Sequence, residues 1–243
     1  MKKVFANGGS STTGWGCPNK ENWTKFLAEA TGFDVENHAI DGSSIDRCTR
    51  YTVGHLLENP NYDAVVIMIP TGFARREFVL YNKGNQIEFM NLMISNIDSL
   101  NISTRTKTAI NYYYDSQISN SWADYINGLK NLHHLIMFLE NYGKPYFVSA
   151  DFRLGFDELF RSKKLHGSRN MEVVIQDSEI TPEVYNYIKS MEKELSKYMN
   201  IETGLFFEVP QEHFDETSHP TVTGHKIWAD YIVDNFVKPK GLM

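Results

Sequence analysis

Phe5-Ala6-Asn7-Gly8-Gly9-Ser10-Ser11-Thr12-Thr13-Gly14-Trp15-Gly16 carries a short apolar strand, roughly Lys2 to Ala6, straight into glycines and hydroxyls. Gly8 and Gly9 let the backbone turn sharply off the strand end, where a side chain with a Cβ would be strained. Ser10 then stands at the carboxyl edge of a sheet, the edge where open α/β folds bind ligands. Three readings are open at this point. The loop can cradle an anion with its amides, hold a nucleophilic serine, or simply turn the chain.

Working outward, strand and helix patterns alternate. Asn22 is placed to cap a helix with Trp23, Phe26, Leu27 and Ala30 on one face, ending at Thr31-Gly32. Asp34 to Ile40 reads as a second strand and exits into Asp41-Gly42-Ser43-Ser44; Ile45 to Glu58 reads as a helix. Ala64-Val65-Val66-Ile67-Met68-Ile69 is an unbroken apolar run, the pattern of a parallel strand covered on both faces. Ser121 caps a helix whose Tyr125, Leu129, Leu132, Ile136 and Leu139 share a face, and Tyr146 to Ala150 follows as a strand. Thr181-Pro182-Glu183 opens another helix, with Val184, Ile188, Met191, Leu195 and Met199 as its buried stripe. Leu205 to Val209 reads as a fifth strand, and a last helix runs from about Val222 to Phe236.

This alternation predicts an α/β chain: a three-layer α/β/α sandwich around a five-stranded parallel, flavodoxin-like sheet. One domain is expected over residues 1–243, with insertions at about 78–120 and 152–178. The first is rich in Asn, Ser and Tyr and ends near Tyr112-Tyr113-Tyr114-Asp115. That tyrosine run reads as alternating core and surface, or as a sugar platform.

Composition narrows the function. Apolar residues at 42% and charged residues at 22% fit a globular protein with a full core. A net charge of −6, with no long Lys/Arg block, argues against nucleic acid as a partner. No apolar run approaches a membrane span, and the run after Lys2-Lys3 is too short for a signal peptide. The expected location is therefore cytoplasmic or virion-associated. With only Cys17 and Cys48, a disulfide scaffold is excluded, although one bridge between them is open. Asn22-Trp-Thr and Asn101-Ile-Ser match the glycosylation pattern. The spacings of His133-His134, His213 and His225 fit no zinc pattern, so no metal site is expected.

A serine hydroxyl needs a base, and a histidine steadied by a carboxylate is the usual one. The loop after the fifth predicted strand offers Asp215-Glu216-Thr217-Ser218-His219-Pro220. It should leave the same sheet edge as Ser10. A carboxylate three or four residues before His219 can fix the ring tautomer through Nδ1–H and leave Nε2 facing Ser10. Spacing favours Glu216 over Asp215. The amides of Ser10 and Gly42 are placed to receive an oxyanion.

Gly8-Gly9-Ser10-Ser11-Thr12-Thr13-Gly14 resembles the first block of the SGNH (GDSL-type) esterases, in which Gly-Asp-Ser-x-Thr carries the nucleophile. Ile40-Asp41-Gly42-Ser43-Ser44 is similar to the second block, whose glycine amide lines the oxyanion hole. Glu216-Thr217-Ser218-His219 matches the final Asp/Glu-x-x-His block. The pattern is similar to SGNH proteins of bacteriophages and bacteria. Two departures stand out. Gly9 replaces the usual Asp, and the third block, normally Gly-x-Asn-Asp, reads Pro70-Thr71-Gly72-Phe73. The Asn donor to the oxyanion is missing, and Thr71, Arg75 or Arg76 are candidates to replace it. Arg75-Arg76-Glu77 can equally form ion pairs that hold the insertion.

The resemblance implies a cofactor-free serine esterase acting on a small-molecule or carbohydrate ester, with O-acetyl groups as the expected substrate. Its rivals are a non-catalytic glycan-binding or structural module on the same fold, and a phosphate or nucleotide site at the first loop. That loop lacks the lysine of a P-loop.

Overall fold

The computed structural model describes residues 1–70, 75–81, 87–92, 97–98, 102–115, 121–151, 181–201 and 203–243. Four parallel strands form the central sheet: β1 (Lys3–Asn7), β2 (Asp34–Asn37), β3 (Ala64–Ile69) and, after a hairpin, Tyr146–Ala150. The hairpin supplies β4 (Arg76–Tyr81) and β5 (Ile87–Leu92), so the last of the four is β6. Strand order is β2-β1-β3-β6. Val4 pairs with Val35 on one side and Ala64 on the other, and Val65 pairs with Tyr146. Chain direction across the sheet reverses at β1, which makes its carboxyl end a topological switch point.

Helix α1 (Ser10–Thr13) is one turn directly after β1. Helix α2 (Trp23–Thr31) begins as expected at Asn22, whose side chain accepts from the Lys25 N–H, and ends at left-handed Gly32. Helix α3 (Ile45–Glu58) is capped by Ser44, whose hydroxyl accepts from the Arg47 N–H at 3.1 Å. Helices α4 (Thr104–Asp115), α5 (Ser121–Tyr142) and α6 (Pro182–Leu195) follow. The short α7 (Leu205–Glu208) and the terminal α8 (Val222–Ile232) complete the order, and α8 continues as a wider turn over Val233–Val237.

The period-two alternation of the strands divides the core. Phe5, Val65, Ile67 and Ile69 face α3, α5 and α6, where Cys48, Leu56, Leu129, Leu132, Ile136 and Ile188 are buried. Val4, Ala6, Val66 and Met68 face α2 and α8, against Trp23, Leu27, Trp228 and Ile232. Three layers result, as the apolar runs predict. None of the described helices is long and apolar enough to cross a membrane.

Several expectations are corrected. Leu205 to Glu208 is a helical turn, so the sheet has four strands among the described residues. A short apolar run suits either state by periodicity. Here Leu205 and Val209, four apart, are both buried in the α2/α8 core while Phe207 is half exposed, which is helical spacing. The first insertion holds regular structure: β4 and β5 pair antiparallel, and Phe78 and Met90 pack on Ile97, Ile102 and Ile110. The second lies outside the described residues. Tyr112 is exposed on α4. Cys17 and Cys48 are both free thiols, the latter fully buried and pushed up to about 12 by burial. Asn22 is buried, and its amide donates to the Thr13 carbonyl at 3.0 Å, so this sequon faces inward.

Gly8 marks the tightest point of the β1 exit. A Cβ there would lie 2.3 Å from Thr12 Oγ1 and 2.7 Å from the backbone oxygen of Met68 on β3. The Thr12 side chain could yield, but the strand carbonyl cannot without moving β3. Gly8→Ala should cost about 1–3 kcal/mol, the usual range for overpacking, read as a lower urea midpoint with an unchanged slope.

Candidate active site

Ser10 is the first residue of α1, at the carboxyl end of β1. The opening N–H groups of a helix have no partner within it, and the Ser10 amide is one of these. The loop is held by side-chain amides. Asn7 accepts from the Gly8 N–H at 2.8 Å, while its own amide donates to Thr52 Oγ1 at 3.0 Å and to the Cys48 carbonyl at 3.3 Å on α3. Asn37, at the end of β2, donates to the Thr12 carbonyl at 2.8 Å. With the Asn22 bond to Thr13, three asparagines from three elements fix the turn.

The second half arrives with the chain before α8. Asp215 N–H donates to the His219 carbonyl at 2.8 Å, and Phe214 bridges to Pro220, so residues 214–220 close into a tight loop. Ser218 at its tip adopts φ of 65°. The loop packs against the segment after α1: Cys17 Sγ donates to the Pro220 carbonyl at 3.3 Å, and Trp15 lies 6.3 Å from the His219 ring. A Cβ at left-handed Gly16 would lie 3.1 Å from Asp215 Oδ2.

These contacts bring His219 Nε2 to 2.9 Å from Ser10 Oγ, across 209 positions of sequence. The other ring nitrogen meets Thr217: Nδ1 is 2.8 Å from Thr217 Oγ1. The Thr217 hydroxyl is in turn 2.7 Å from Asp215 Oδ1, which also accepts from the Thr217 N–H at 2.8 Å and the His219 N–H at 2.9 Å. An ionised carboxylate only accepts and a hydroxyl carries one proton. Thr217 therefore donates to Asp215 and accepts from Nδ1–H, leaving the Nε2 lone pair towards Ser10.

The charges agree with this direction. Burial opposes ionisation of Asp215, but the hydrogen bonds from Thr217 and from the His219 and Thr217 amides outweigh it and hold its carboxyl below the usual range. Burial pushes His219 below its ordinary 6.5, against the opposing pull of Asp215 and Asp41. The ring is neutral near pH 7, the form a proton acceptor needs.

No protein-family model matches the chain, and no curated protein matches it either. Solved structures do. A protein assigned to the lipolytic G-D-S-L family from Desulfitobacterium hafniense DCB-2 is 11% identical, with a TM-score of 0.52, over 96% of this chain and 99% of that one. A member of the lipolytic G-D-S-L family from Veillonella parvula DSM 2008 is 12% identical, with a TM-score of 0.52, over 98% of this chain and 100% of the other. TesA is 11% identical with a TM-score of 0.53, covering 98% and 99%. The chain has the G-D-S-L fold.

Within the G-D-S-L fold, the remaining predicted site residues divide. Gly42 takes φ of 71° at the β2 exit, beside the Ser10 turn: the Thr13 hydroxyl contacts the Asp41 carboxylate. Arg75 Nη1 donates to the Ser43 carbonyl at 3.3 Å and lies 4.0 Å from where a Gly42 Cβ would sit. Arg76 turns elsewhere. Its Nη1 is 3.6 Å from Asp46 Oδ1 on α3, while Glu77 takes two bonds from Arg50 at 2.6 and 2.8 Å. Arg76 and Glu77 thus tie the hairpin to α3, the structural alternative raised for this triplet. Thr71 lies outside the described residues. Glu216, favoured by spacing, is exposed, and it is Asp215 that is linked to the ring.

Sequence reasoning passed over Thr217, which stands between acid and base, and the asparagines at 7 and 37. The only signal for Thr217 was its place between two motif residues. A groove of about 680 Å³ opens beside α1, lined by Thr13, Trp15, Asn37, Ile40 and Asp41 among others, with Trp15 and Ile40 exposed.

Behind His219, His225 on α8 is fully buried and neither ring nitrogen has a hydrogen-bond partner among the described residues. Burial, with the nearby His219, pushes it down to about 4 from 6.5. As pH falls below 6.5 the unfolded chain takes this proton first, so stability present at neutral pH is lost down to about 4. Its full size is at most about 3 kcal/mol. Urea midpoints of wild type should fall between pH 7.5 and 4.5 more steeply than those of His225→Leu.

Proposed function

We propose that the chain is a serine ester hydrolase with Ser10 as nucleophile and His219 as general base. The observation that carries this reading is the 2.9 Å approach of Nε2 to Oγ, with the Nδ1–Thr217–Asp215 chain behind it. As Ser10 Oγ attacks the ester carbonyl carbon, its proton passes to Nε2. The imidazolium then donates through Nδ1–H to Thr217, whose hydroxyl is polarised by the Asp215 charge. The amides of Ser10 and Gly42 face the developing oxyanion, and the Arg75 guanidinium near Gly42 adds positive charge where the family's third-block Asn is missing. The protonated ring returns its proton to the leaving alcohol. Water, activated by the same ring, then releases the acid from the acyl-enzyme.

The groove beside α1 supports a hydrophilic alcohol. It is open, and the exposed Trp15 can stack on a sugar ring while Asn37, Asp41 and Lys20 offer polar contacts. The substrate read here is a short-chain ester, O-acetyl above all, on a carbohydrate. A non-catalytic binding module remains the rival, favoured by Pro70-Thr71-Gly72-Phe73 at the third block; losing one oxyanion donor typically costs about 10²–10³-fold in turnover.

Wild type should be labelled by a fluorophosphonate and should cleave p-nitrophenyl acetate faster than the octanoate, with both activities absent in Ser10→Ala. Carbohydrate binding without labelling or turnover would establish the module instead. The acid limb of kcat/KM should have its midpoint below pH 6.5, because His219 acts as a neutral base and burial depresses its ionisation.

The orienting acid is separable by substitution. Asp215→Asn should lower kcat about 10²-fold or more and move the acid limb further down, since the Asp215 charge favours the protonated ring. Thr217→Val should lower kcat about 10–100-fold, at or below the usual range for losing a general base. Glu216→Gln should leave both kcat and the pH profile in place; an effect equal to that of Asp215→Asn would reverse the assignment.

A further inference from the structure

Away from the serine site, three side chains from two elements meet beside β2. Glu36 lies on β2, His38 follows it, and His55 comes from the last turn of α3. One ligand atom from each lies within 4.8 Å of the other two. Tyr62, buried in the turn before β3, places its hydroxyl at their meeting point. Its oxygen is 2.9 Å from His55 Nε2, 3.4 Å from His38 Nε2, and in contact with Glu36 Oε2. Glu36 Oε2 is 3.5 Å from His38 Nε2. Ligands at about 2.0–2.1 Å from a tetrahedral ion stand about 3.3 Å apart, so two of these spacings are already close to the edges of such a tetrahedron.

We propose that Glu36, His38 and His55, with the Tyr62 oxygen as fourth ligand, form a binding site for a zinc-type divalent ion. Two imidazoles and one carboxylate select a first-row transition ion over magnesium or calcium, which prefer all-oxygen shells. The surrounding groups prepare the donors. The Tyr51 hydroxyl is 3.2 Å from His38 Nδ1, a second partner that holds the ring in the plane of the cluster. Lys3 binds Glu36 through the other oxygen, Oε1, at 2.8 Å. The carboxylate is thereby oriented, with Oε2 turned to Tyr62 and His38.

Phe5 stacks on His38 at 4.9 Å and closes the floor of the site, while the His38 and Glu36 side chains, 20% and 36% exposed, leave an entrance. Ion entry would release the Tyr62 phenol proton to solvent and form four metal–ligand bonds, with no redox step. Residues 39–44, which carry Gly42, leave directly from His38 and end at the cap of α3. An ion would therefore join β2 to the far end of α3 and brace the segment that bears the second motif. The site stands independently of ester hydrolysis.

Tag-free protein, stripped with a chelator, should bind one equivalent of Zn²⁺ with micromolar or tighter affinity in calorimetry. Co²⁺ should give the visible absorption of a tetrahedral site, and Zn²⁺ should raise the melting temperature. Glu36→Gln and His38→Gln should each weaken Zn²⁺ binding at least about tenfold, while His213→Ala should leave it unchanged. No saturable binding, or equal affinity in wild type and Glu36→Gln, would overturn the proposal. Glu36→Gln decides the matter if His38→Gln does not fold, because it retains shape and neutral hydrogen bonding.

Discussion

The volume that a Cβ at residue 8 would occupy is already filled by Thr12 Oγ1 and the carbonyl oxygen of Met68. That close approach is what lets β1 end and a helical turn begin within two residues. Were the turn wider, Ser10 would stand further from the sheet edge and lose its alignment with a histidine 209 positions away. Asn7, Asn22 and Asn37 then hold the turn from α3, α2 and β2. Each donates to or accepts from backbone groups that a sharp turn leaves unpaired, so the same contacts that remove buried unsatisfied polar atoms also aim the loop.

Much of this was legible because it is written in period and order. The apolar runs of β1 and β3, caps at Asn22 and Thr181, and an acid–histidine cluster before the last helix all survive into the structure. What failed did so for identifiable reasons. Leu205–Val209 is too short for its composition to separate strand from turn of helix, and only the buried pair at i and i+4 decides. Asp215 and Glu216 differ by one position, so spacing could not choose. The choice is made by the loop closing on itself, with the His219 amide and Thr217 hydroxyl turned onto Asp215. Thr217 and the Glu36–His38–His55–Tyr62 cluster depend on chain paths that local pattern does not encode.

The electrostatics of the serine site follow from having an acid placed one hydroxyl away from the ring. A direct carboxylate contact would raise the imidazole's basicity more strongly. Through Thr217 the negative charge is felt at greater distance, and burial is the larger influence on His219. The result is a ring kept neutral and oriented. Asp41, drawn in by the Thr13 hydroxyl, adds a second carboxylate on the far side. Arg75, on the Ser43 carbonyl, places positive charge beside Gly42. Two acids and one guanidinium thus lie around one serine–histidine pair, with Asp41 past the end of β2, Arg75 just before β4 and Asp215 on the loop before α8.

Helix α3 is where the β1 and β2 exits are joined. Its cap follows Gly42 and Ser43; its body, through Cys48 and Thr52, holds Asn7 and so the Ser10 turn. Its outer flank takes Arg76 on Asp46 and Glu77 on Arg50, anchoring the β4–β5 hairpin. Its last turn supplies His55 to the cluster at Tyr62. A rigid helix transmits a shift at one end to the other with little loss, because its backbone hydrogen bonds are mutually supporting. Anything that moved α3 along its axis would therefore move the Asn7 anchor and the Gly42 amide together, and Ser10 would keep its relation to Gly42 while changing its distance to His219. That makes the contact between the two ends of the chain, not the geometry within the first two motifs, the part of the site most exposed to change elsewhere in the fold.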